Sequence, residues 1–203
     1  MTKIKICGLS RECDIDFVNA AKPDFIGFVF ADKSKRRVDF ETALKLKNRL
    51  DKNIKSVGVF VNNDIEFILS LVNSGVIDLI QLHGDEDEKY ILSLKEKTSA
   101  KIIRAVRVKN AEDILTADKL PVDYLLLDTY TKGEYGGSGK TFDWNLIPKI
   151  SKPYFLAGGL NSENIKSALK VGAYCLDVSS GAETDGKKDR NKIIEIVTTV
   201  RSE

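Results

Sequence analysis

Apolar and polar residues fall along this chain in short blocks whose period switches repeatedly between that of a strand and that of a helix. Residues 2–6 alternate polar and apolar up to Cys7-Gly8, and D-F-I-G-F-V-F at 24–30 is a short continuous apolar run. Runs of this second kind, bounded by polar residues, predict strands buried on both faces. Comparable stretches lie at 55–61, 78–82, 102–108, 124–127, 154–157 and 174–178. Helical spacing takes over in between. The first helix has Ser10 as its cap, with Ile15, Phe17, Val18 and Ala21 on its apolar side. Asp39 caps the second helix and Asn63-Asp64 opens the third. Further helices are expected at 86–95, 111–119 and 142–150, then at 161–171 with Gly172 as a left-handed stop, and at 192–201.

Strands in strict alternation with helices imply a parallel sheet with crossover helices. Eight such units close into a (β/α)8 barrel, the TIM barrel, for which about 200 residues is the short end of the range. A doubly wound sheet is the rival, but it usually has fewer strands. The repeat takes up all 203 residues, so a single α/β domain over 1–203 is expected.

The charge balance of 32 basic against 30 acidic residues gives a net +2, which does not suit a polyanion partner. Basic residues concentrate only at 33–37, without interleaved aromatics, so no nucleic-acid partner is expected. No apolar stretch approaches the roughly 20 residues that span a bilayer. The opening M-T-K-I-K-I-C-G-L is too short and too charged for a secretory signal. Cys7, Cys13 and Cys175 are odd in number, which fits a reducing cytoplasm rather than a disulfide framework. His83 is the one histidine and no close metal-ligand spacing occurs, so no metal site is expected.

In a barrel every strand tip opens onto one mouth, so the residues there form a set. Asp128 ends the run 124–127, ahead of a stretch rich in glycine: Gly133, Gly136, Gly137 and Gly139. A carboxylate at such a tip is either catalytic or a cap for the next turn. Cys7 ends the first strand, as a mouth-facing thiol or an inert core one. Arg36 and Arg37 are either solvated or a fork for a carboxylate. Arg104, inside the fifth strand, must face the mouth or pair internally, because isolated burial is too costly. Gly158-Gly159 follows strand seven and Ser179-Ser180-Gly181 follows strand eight, the two places where such barrels hold phosphate on main-chain N–H groups. G-K-T at 139–141 is not a P-loop, because Glu134 stands where that pattern needs glycine.

Seven stretches carry a resemblance from end to end: K-I-C-G-L at 5–9, S-K-R-R-V at 34–38, G-V-F-V at 58–61, Q-L-H-G at 81–84, G-G-S-G-K-T-F-D-W at 136–144, L-A-G-G-L at 156–160 and D-V-S-S-G-A-E at 177–183. Taken in this order they resemble the phosphoribosylanthranilate isomerase family of tryptophan biosynthesis. The resemblance implies a small (β/α)8 barrel acting on a sugar phosphate by an Amadori rearrangement, without metal or organic cofactor. It implies Cys7 as general base and Asp128 as general acid. Arg36 falls at the contact to the anthranilate carboxylate, and His83 lines the mouth. Gly158, Gly159, Ser180 and Gly181 fall on the phosphate-binding positions, and the glycine-rich loop would be a lid. Lys35 stands where the family often has proline, which implies a looser loop. A cytoplasmic monomer or homodimer is expected.

Overall fold

The computed structural model describes residues 1–130 and 141–203. Eight parallel strands run in sequence order around a closed barrel: β1 (Lys3–Cys7), β2 (Phe25–Val29), β3 (Lys55–Phe60), β4 (Leu79–Leu82), β5 (Lys101–Val108), β6 (Tyr124–Thr129), β7 (Tyr154–Leu156) and β8 (Cys175–Val178). Pairing of β1 with β8 shuts the barrel, with Lys5 opposite Asp177. Among the described residues, seven α-helices lie between and after the strands: α1 (Glu12–Ala21), α2 (Phe40–Arg49), α3 (Ile65–Asn73), α4 (Glu88–Lys95), α5 (Ala111–Asp118), α6 (Ile165–Leu169) and α7 (Arg190–Ser202). Among the described residues no helix is long and apolar enough to cross a membrane.

The two faces of each strand serve different cores. One apolar layer joins Ile4, Ile6, Ile26, Phe28, Ile80 and Leu125 to the inner faces of the helices. A second fills the barrel with Phe25, Val57, Leu79, Ile103, Leu126, Phe155 and Cys175. Alternation with period two separates the layers, so residues two apart on a strand share a face. A smaller cluster of Cys7, Val29 and Val59 lies apart from this filling.

Asp39 and Asp64 cap α2 and α3 as expected, accepting from Thr42 and Glu66 N–H at 2.8 Å each. Three details differ from the sequence reading. Ser10 is not the cap of α1: the cap position is Arg11, and Asp14 takes the N–H groups of both Ser10 and Arg11 at 3.0 Å. The helix expected over 142–150 is a single 3-10 turn, Trp144–Leu146. Pro148 explains this, since it removes an amide donor and forces Ile147, at ψ 109°, out of helical geometry. The helix expected over 161–171 shortens to α6, because Asn161 Oδ1 takes the N–H groups of Glu163 and Asn164 in a local turn ahead of it.

After β8 comes an unanticipated antiparallel hairpin, Glu183–Thr184 against Lys187–Lys188. Its turn residues, Asp185 and Gly186, both have positive φ, 51° and 72°, the geometry that D-G pairs favour. The hairpin carries Glu183 and Lys188 into one ion-pair cluster with Arg36, next to the barrel mouth.

Candidate active site

Cys7 is buried at the tip of β1, directly opposite Gly27 of β2. A Cβ on Gly27 would stand 2.6 Å from Cys7 Sγ, so the glycine is what makes room for the thiol. Burial pushes the thiol's pKa up from its ordinary value; the ammonium groups of Lys5 and Lys188 pull it down, and Asp177 adds to the upward push. Burial prevails, so the structure does not show the lowered value that a resting thiolate needs. It does supply two nearby cations that work in that direction.

Lys188 is itself buried, donating to the Ser179 carbonyl at 3.0 Å and to Glu183. Burial lowers its pKa, against the pull of Glu183. Glu183 also receives a two-pronged bond from Arg36, with Nε at 2.6 Å and Nη2 at 2.7 Å. Burial resists ionisation of Glu183, but Arg36 and Lys188 outweigh it and hold its pKa below the ordinary value. The Arg36 fork is thus set by Glu183. Gly8, at φ +86°, lets this arginine lie close, since a Cβ there would meet Arg36 Cδ at 2.4 Å. Arg37 settles as a surface residue, half exposed and 3.2 Å from Asp32.

Asp128 is buried on β6 and accepts its neighbour Thr129's N–H on Oδ1 at 2.8 Å. His83 lies just past β4, with Nε2 3.3 Å from Asp128 Oδ2. The approach is close enough for attraction but lacks hydrogen-bond alignment. Arg104 resolves as an internal pair: its Nη1 reaches Glu86 Oε2 at 2.7 Å, and Glu86 accepts the N–H groups of Asn62 and Gly84. That cluster braces the turn on which His83 sits.

The loops after β7 and β8 lie side by side, joined by a parallel bridge between Asn161 and Gly181. Gly158 and Gly159 both have positive φ, 85° and 65°. A Cβ on Gly181 would fall 1.9 Å from the Leu160 carbonyl oxygen, so only glycine permits this approach. Ser179 Oγ donates to the Cys7 carbonyl at 3.3 Å, tying the β8 loop to the thiol's own residue. The lid reading falls on 131–140, outside the described residues.

The sequence model of a family described as N-(5'-phosphoribosyl)anthranilate isomerase matches residues 4–199. The chain belongs to that family. It is 54% identical over 203 residues, the whole of both chains, to the N-(5'-phosphoribosyl)anthranilate isomerase of Endomicrobium trichonymphae. The crystal structure of phosphoribosyl anthranilate isomerase from Thermotoga maritima superposes with a TM-score of 0.88 at 36% identity, covering all of both chains. A phosphoribosyl anthranilate isomerase solved in complex with reduced 1-(o-carboxyphenylamino)-1-deoxyribulose 5-phosphate superposes at 0.83 with 32% identity, again over the full length of both.

Of the residues that the family resemblance singled out, the fold brings His83 and Asp128 into contact and joins the Gly158-Gly159 loop to the Ser180-Gly181 loop. Arg36 stands with its fork on Glu183. Sequence reasoning gave no role to Lys5, Gln81, Asp177, Glu183 or Lys188. Two signals pointed to them: polar residues inside otherwise apolar strands, and the D-G turn that folds Lys188 back toward Glu183.

Proposed function

We propose that this chain, an isomerase of tryptophan biosynthesis by its family, converts N-(5'-phosphoribosyl)anthranilate to 1-(2-carboxyphenylamino)-1-deoxyribulose 5-phosphate, with Asp128 as general acid and Cys7 as general base. Asp128 gives a proton to the ribose ring oxygen. The C1–O bond breaks and the anilino nitrogen's lone pair forms an iminium. Cys7, as thiolate, then takes the proton from C2. The C–H electrons form the C1–C2 double bond and neutralise the iminium nitrogen. Tautomerisation of this enolamine gives the ketone.

The observation that carries the reading is the pairing of a buried thiol and a buried carboxyl, at the tips of β1 and β6, in one barrel with the joined glycine loops. Acid and base each contribute roughly 10²–10⁴-fold when positioned. The iminium is a cation formed beside Cys7, and together with Lys5 and Lys188 it favours the thiolate against burial. The phosphate is held on the main chain at Gly158, Gly159, Ser180 and Gly181, and the Nη1 edge of Arg36 takes the anthranilate carboxylate. His83 lines the same mouth and supports Asp128. The relative solved with the reduced product analogue is in keeping with such a ligand.

The test is turnover. Freshly formed phosphoribosylanthranilate loses its fluorescence on isomerisation, and the purified protein should accelerate that loss with saturation in substrate. A rate equal to that without protein contradicts the assignment.

A further inference from the structure

Beneath the mouth lie three buried polar side chains, Lys5, Gln81 and Asp177, of which the chemistry above uses only the charge of Lys5. Lys5 is fully enclosed, and its ammonium carries three donors and no acceptor. It donates to Asp177 Oδ2 and to Gln81 Oε1, each at 2.8 Å. The bond to Gln81 runs from β1 to β4, across the barrel interior. Burial works against the charge on Lys5, but Asp177 and Cys7 outweigh it and the group stays an ammonium.

This end of the line cannot be reversed, and everything else follows from it. Because Lys5 only donates, Gln81 must turn its carbonyl oxygen toward Lys5 and its amide nitrogen the other way. That nitrogen lies 2.8 Å from His83 Nδ1. An amide NH2 only donates, so Nδ1 must be the bare, accepting nitrogen. The neutral ring then carries its proton on Nε2, the atom 3.3 Å from Asp128 Oδ2.

We infer that Gln81, anchored by Lys5, is a positioning residue: it fixes His83 as the Nε2–H tautomer and so keeps the ring's proton on the nitrogen that lies 3.3 Å from the Asp128 carboxyl. The inference rests on the reading of Asp128 as the acid. Once Asp128 has given its proton to the ring oxygen, the carboxylate left behind has the Thr129 N–H on one oxygen and the protonated Nε2 of His83 3.3 Å from the other, near enough for attraction. The opposite tautomer would set a lone pair against that carboxylate and turn it away.

His83 is the only histidine in the chain, so the imidazole ¹⁵N spectrum of the whole protein reports this ring alone. At neutral pH it should show a protonated Nε2 and a bare Nδ1. Gln81→Glu keeps the length but offers oxygens to both neighbours, so the proton should move to Nδ1, or the ring become charged. kcat should then fall roughly ten- to hundredfold, less than the roughly 10²–10⁴ carried by a general acid, with KM unchanged. Gln81→Met adds no charge to the interior and should give mixed tautomers with a kcat loss in the same direction. A wild-type spectrum with the proton on Nδ1 overturns the inference. So does an inverted tautomer in Gln81→Glu with undiminished kcat. If Asp128→Asn kept full turnover, the acid assignment would fail, while the wild-type spectrum would still report the tautomer.

Discussion

The thiol of Cys7 is held between opposing effects: burial favours the neutral form, and Lys5 and Lys188 favour the thiolate. Its position depends on Gly27, whose missing side chain leaves the space that Sγ fills. Gly27→Ala should therefore displace the thiol and lower kcat by tenfold or more, with the protein still folded by circular dichroism. Unchanged kcat would show that the thiol's placement does not matter. The strand-end places of Cys7, His83 and Asp128 were legible in the sequence, because Cys7 closes an alternating run and the other two close apolar ones, and barrel topology sends every such end to one mouth. Gln81 was not, although it stands inside an apolar strand where an unpaired polar group is too costly, and Lys5 was hidden by the alternation of residues 2–6, which reads as a polar face. That argument, applied to Arg104 from sequence, was answered by its pairing with Glu86; applied to Gln81 it leads to the His83 ring.

At the scale of elements, one device recurs at the base of the barrel. Asp24, Asp78 and Asp123 each precede an even-numbered strand and accept an N–H from the preceding odd strand, at Ile4, Ser56 and Ile102. Each also pairs with the lysine that opens that odd strand: Lys3, Lys55 or Lys101. Asp78 is the most connected of the three, taking bonds from Lys47 at 2.7 Å and Ser56 Oγ at 2.9 Å. Asp78→Asn should destabilise the fold by about 2 kcal/mol, the range for hydrogen bonds to a charged group, read as a shifted urea midpoint. An unshifted midpoint would make the latch ornamental. The eight strands could be read directly because their apolar runs are short and bounded. The helices next to the site could not, since Pro148 and Asn161 override the helical pattern around them.

For the whole molecule these latches set the response to acid. Burial resists ionisation of Asp24, Asp78 and Asp123, but their lysine, arginine and N–H partners prevail and hold each pKa below the usual 3.8. A carboxylate with a lowered folded-state pKa stabilises fully above its unfolded value and loses that contribution as pH falls through the folded one. Thermal stability should accordingly hold from neutrality to about pH 4 and drop steeply below, with a shallower drop in Asp78→Asn. A melting temperature that does not change between pH 5 and pH 3 would contradict this. Closure of β1 onto β8 places residue 7 and residue 128 in one barrel, and the account depends on their acting together there. The most direct test compares Asp128→Asn with the unaltered protein in turnover of phosphoribosylanthranilate and in binding of the reduced product analogue. The account predicts a kcat lower by roughly 10²–10⁴ with analogue affinity retained; near-normal turnover in the variant would contradict it.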